Sequence, residues 1–76
     1  MLEQLQELLP DFVIDVEHNY EGDETRSLYT FYKDEKLYQI MTHNDVLFKF
    51  GRPAAIEFIV RTIREDEIAY NTEGEL

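Results

Sequence analysis

The most regular hydrophobic pattern lies toward the C-terminal end. Ile56, Ile59, Val60 and Ile63 fall at i, i+3, i+4 and i+7, which predicts a helix over residues 52–67 with one apolar stripe to bury. Gly51 breaks the chain before it, and Pro53 suits the first helical turn, where a missing N–H has no intrahelical partner to lose. At the other end, Leu2, Leu5, Leu8 and Leu9 sit at helical spacing with Glu3, Gln4 and Glu7 turned away, a short amphipathic helix over residues 2–9 that Pro10 ends.

Between the helices the period changes to two. Residues 12–18 alternate, with Phe12, Ile14 and Val16 on one face and Val13, Asp15 and Glu17 on the other. Residues 19–25, with Gly22 among acids, read as an exposed hairpin loop. Residues 26–33 form a second strand rich in Tyr and Phe, residues 34–36 a tight polar turn, and residues 37–42 a third strand. After a turn at 43–45, the alternation of Phe48 and Phe50 against Leu47 and Lys49 predicts a fourth strand over 46–50. The competing reading is a short helix capped by Asn44 and closed by Gly51. The expected fold is a small single α+β domain over residues 1–70, in the order α-β-β-β-β-α. Its strands form an antiparallel meander with two helices on one face, followed by an acidic, mobile tail over 71–76.

The second and third strands break that pattern. With Tyr29, Phe31, Tyr38 and Ile40 toward the helices, Leu28, Tyr32, Leu37 and Met41 point outward, whereas a sheet with one buried face should alternate apolar with polar. An outward cluster of Leu, Tyr and Met is the composition of a partner surface. Phe58 lies about 160° around its helix from the isoleucine stripe and joins the apolar candidates.

Charge sharpens this picture. The net charge is −10, and it is uneven: the first 25 residues hold eight acids and no Lys or Arg, while all seven basic residues lie between Arg26 and Arg64. Such a chain is expected neither to bind nucleic acid directly nor to settle on an anionic membrane. Asp15, Glu17, Glu21, Asp23 and Glu24 are instead candidates for meeting a basic protein surface. The element order has a partial likeness to double-stranded RNA-binding domains, built α-β-β-β-α, but those domains meet phosphate with basic side chains, and here the likeness stops at topology.

Catalytic chemistry has little material. A Ser27, His18, Asp15 set exists on paper, without a nucleophile elbow or an oxyanion-forming glycine turn. The loop at 19–25 offers oxygen ligands but lacks the spacing of an EF-hand. No enzyme activity, cofactor or metal is expected. No cysteine, signal segment or membrane span is evident, so a cytoplasmic protein is expected. Two functions fit. One is an acidic protein-interaction module, an inhibitor or regulator of the phage or mobile-element type that occupies a basic or nucleic-acid-binding site of its partner. The other is a structural homodimer through the outer sheet face.

Overall fold

The computed structural model describes residues 1–74, with the side chains of residues 1–69. Helix α1 (Leu2–Leu8) leads into strand β1 (Val13–His18), a single 3₁₀ turn (Tyr20–Gly22), β2 (Arg26–Lys33), β3 (Lys36–His43), a short helix α2 (Asn44–Leu47) and the long helix α3 (Arg52–Gly74). The three strands form one antiparallel sheet in the order β1-β2-β3. Among the described residues no helix is long and apolar enough to cross a membrane.

The two periodicities meet in one core. Leu5 and Leu9 from the α1 end, Phe12, the β2–β3 side chains Tyr29, Phe31 and Tyr38, and Ile56, Ile59 and Ile63 of α3 are all buried together. Phe12 stands edge-on to Phe31 and Tyr38, with ring centroids 6.3 and 5.7 Å away, an arrangement that aromatic quadrupoles favour. Leu2 and Leu8 stay exposed, so the working stripe of α1 is narrower than its four leucines imply. The turn out of α1 is held by Gln6, whose side-chain amide donates to the carbonyls of Leu9 (3.1 Å) and Phe12 (2.7 Å). The Leu9 carbonyl also accepts from the Phe12 amide at 3.1 Å, which closes the turn.

The β2–β3 hairpin closes through two residues, Asp34 and Glu35, both with positive φ (51° and 66°). Such a turn carries the right-handed twist of the strands across the corner, although neither residue has the freedom of glycine.

The fourth strand is not there. Residues 44–47 are helical, and Phe48, Lys49 and Phe50 form the turns that follow. A segment this short satisfies either period, and local bonding decides. The Asn44 N–H donates to the Thr25 carbonyl at 2.7 Å, and its side-chain oxygen accepts from the Ser27 hydroxyl at 3.1 Å, which pins the chain at the end of β3 and turns it. Asn44 thus opens the helix from its first position, while the cap residue is His43. Gly51, at φ 93°, provides the left-handed conformation between the two helices. Phe48 and Phe50, expected on one face of a strand, are exposed, and Leu47 is the residue that packs. Helix α3 runs past residue 67 to Gly74. The side chains of Tyr70 and of the acidic segment 71–76 lie outside the described residues.

Candidate functional site

Strand register arranges the outer sheet face into rows. Val13, Tyr32 and Leu37 stand side by side at one end, Glu17, Leu28 and Met41 at the other, and Asp15, Thr30 and Gln39 between them. Because side chains alternate along each strand, these residues share the face opposite Ile14, Phe31 and Tyr38. An apolar row and the apolar pair Leu28 and Met41 therefore flank a polar row, with the carboxylates of Asp15 and Glu17 along the β1 side. Tyr32, Leu37 and Met41 are each about half exposed, Val13 more so and Leu28 less. Val13 belongs to this surface and was not among the residues singled out from the sequence. Its place on the polar side of β1 was legible, but its contact with Tyr32 depends on a register that only folding sets.

The five candidate acids do not act as one group. Asp15 and Glu17 lie on the sheet face. Glu21 and Asp23 turn to Arg26, whose Nη1 is 3.8 Å from Glu21 Oε2 and whose Nε is 3.3 Å from Asp23 Oδ2. Asp23 also accepts from the Thr25 hydroxyl (2.6 Å) and amide (2.9 Å), bonds that hold its pKa below the ordinary carboxylate value. Glu24 is exposed on the same loop. Among the described residues no group of three or more His, Cys, Asp or Glu is placed to hold a metal ion.

Phe58 is also apart from the face. It is one wall of a cleft of about 240 Å³ at the β3 edge, with Ile40, Met41, Leu47 and Val46. A larger open groove of about 590 Å³ runs between α1 and α3, over a floor of Leu8, Pro53, Ile56 and Val60 with Glu7, Glu57, Arg52 and Arg61 along it. Neither histidine nor Ser27 lines that groove.

The paper triad is not assembled. Ser27 is buried, its hydroxyl donates to Asn44, and His18 Nδ1 lies 3.3 Å from the same oxygen. Asp15, however, projects to the opposite face of β1. The polar chain His18–Ser27–Asn44 instead ties β1, β2 and α2 together.

A second polar cluster lay hidden in the sequence. Asp11 accepts from both Nη atoms of Arg64 (3.1 and 3.3 Å) and from Lys33 (2.9 Å), while Glu67 pairs with the same two cations. Lys33 and Arg64 also lie 5.4 and 5.6 Å from the Phe12 ring centroid, within cation–π range. Bonding to Arg64 and then Lys33 holds the Asp11 carboxyl well below its ordinary pKa. Lys33 and then Arg64 lower that of Glu67, and Glu67 and then Asp11 raise that of Lys33. This cluster staples the α1–β1 turn, the end of β2 and α3 over the aromatic core. No signal at short range announces it, since Asp11 and Arg64 are 53 residues apart.

No family model, curated protein or solved structure matches this chain.

Proposed function

We propose that this chain is a non-catalytic, cytoplasmic interaction module that engages a basic protein surface through the outer face of its sheet. The observation that supports it is the composition of that face. The apolar row Val13, Tyr32, Leu37 and the pair Leu28 and Met41 flank Asp15, Thr30 and Gln39, with Glu17 beside Leu28, and its one guanidinium, Arg26, is engaged by Glu21 and Asp23. Apolar area supplies affinity, and the net charge of −10 steers a cationic partner and repels nucleic acid and anionic lipid. A partner whose basic surface normally meets phosphate would be blocked in this way, which makes an inhibitor or regulator the fitting role.

The same face weighs against a sheet-to-sheet homodimer. A two-fold axis across the strands lays the Asp15 and Glu17 pair against its own copy. An axis along the strands lays it on Gln39 and Met41 of the other chain. Either arrangement brings carboxylates out of water without a cation.

Panning a random-peptide display library tests the proposal, with wild-type protein as the target and the Tyr32→Ser/Leu37→Ser/Met41→Ser variant as the counter-target. The expected winners combine Arg or Lys with aromatic residues and bind the Asp15→Lys/Glu17→Lys variant about tenfold more weakly, a loss near 1.4 kcal/mol. Winners that bind wild type and both variants equally would contradict it.

A further inference from the structure

The sheet has two edges, and they differ. β1 carries Asp15 and Glu17, charges of the kind that keep an edge strand from pairing with another chain. β3 is protected only at its ends, by Lys36 at its start and by α2 beyond His43. From Leu37 to Thr42 it holds no charged residue and no proline, and its register with β2 runs unbroken through eight consecutive pairs, without a bulge.

The hairpin turn determines which groups that edge presents. Lys33 and Lys36 flank a two-residue turn and are therefore a hydrogen-bonded pair, after which bonded and non-bonded pairs alternate. Lys36, Tyr38, Ile40 and Thr42 bond back to β2. Leu37, Gln39 and Met41 direct their N–H and C=O groups away from the sheet, and no backbone hydrogen bond outside the β2–β3 ladder reaches them among the described residues.

We propose that β3 pairs edge to edge with β3 of a second copy of this chain, joining two sheets into one antiparallel sheet of six strands. The strand is self-complementary about a two-fold axis at Gln39. That axis sets Gln39 against Gln39 of the second copy and Leu37 against its Met41, in each direction, so that polar meets polar and apolar meets apolar. Every outward N–H and C=O from Leu37 to Met41 then finds a partner. On the outer face Leu37 of the second copy arrives beside Met41, and on the helix side its Tyr38 arrives opposite Ile40, at the mouth of the cleft that Ile40, Leu47 and Phe58 line.

Charge at the seam does not oppose this occupant. β3 has no carboxylate, and this arrangement puts the acidic β1 strands on the two far edges of the joined sheet. It also joins two outer faces into one wider surface without using either. The residual repulsion between two chains of −10 is long-ranged and screened by salt, so pairing strengthens as salt rises. A steered complex with a basic partner behaves in the opposite way.

Light scattering on a sizing column, at protein concentrations up to about 1 mM, tests the pairing. The expected mass is twice the 9.1 kDa of the chain in high salt, falling toward the monomer in low salt. Gln39 is exposed, so Gln39→Lys and Gln39→Glu leave the fold intact. Each is expected to weaken self-association at least about tenfold by setting like charges on the axis, and an equimolar mixture of the two to restore a dimer. A monomer under all these conditions overturns the proposal, as does a dimer that both Gln39 variants leave unchanged.

Discussion

Phe31 and Tyr32 are neighbours in sequence, share one strand and have similar aromatic rings, yet one is fully buried and the other is 46% exposed. The same contrast runs across the whole sheet. The inner face holds Tyr29, Phe31 and Tyr38 under two helices, and the outer face holds Leu28, Tyr32, Leu37 and Met41 with nothing over them among the described residues. Burial of the inner face is what folds a chain of this size, because 76 residues leave few other sources of stability. The outer residues contribute little to that end, and their apolar character makes sense as surface kept for another molecule.

Truncating one aromatic on each face separates the two roles. Phe31→Ala removes the largest fully buried side chain and is expected to cost about 3–5 kcal/mol, enough to leave a domain of this size largely unfolded in a urea titration followed by circular dichroism. The polar staple over Phe12 comes next. Arg64→Met removes the fork on Asp11 and the cation over the ring, with an expected loss of about 1 kcal/mol and a lower melting temperature, since half-exposed ion pairs each contribute only modestly.

The staple also sets the acid limit. Asp11 and Glu67 titrate below their ordinary values of 3.8 and 4.5 in the folded state, so the unfolded chain binds more protons in mild acid. Their contribution is complete above about pH 5 and lost as pH falls through the folded-state values. Urea midpoints measured between pH 7 and pH 3 should therefore fall more steeply for wild type than for Arg64→Met. Glu35→Gly relieves a left-handed backbone at the hairpin turn and is expected to raise stability by about 1 kcal/mol. The smallest effect belongs to the other half of the aromatic pair. Tyr32→Ser should change the urea midpoint by no more than about 0.5 kcal/mol equivalent while weakening partner binding.

The sidedness of this sheet was legible in the sequence because a period of two leaves little freedom. Once Phe31 faces the core, Tyr32 cannot. The stripe of Ile56, Ile59 and Ile63 was legible for the same reason at a period of 3.6. Residues 46–50 were not, because five residues satisfy both periods and the decision rests on Asn44 meeting Ser27 from 17 residues away. The staple of Asp11, Lys33, Arg64 and Glu67 depends on three elements converging. Phe58 was recognised as displaced from the stripe, but its place beside Leu47 follows from a helix that the alternating pattern concealed. Of the candidate surface, Asp15, Glu17, Leu28, Tyr32, Leu37 and Met41 come together, whereas Glu21 and Asp23 turn to Arg26 and Phe58 to the β3 edge.

Whether the outer sheet face is the docking surface is read from an amide chemical-shift map of the ¹⁵N-labelled chain titrated with a display-selected basic peptide. Shifts are expected at Val13, Asp15, Glu17, Leu28, Tyr32, Leu37 and Met41, and are lost in Tyr32→Ser. Shifts centred instead on the α1–α3 groove, around Leu8, Ile56 and Val60, would contradict it.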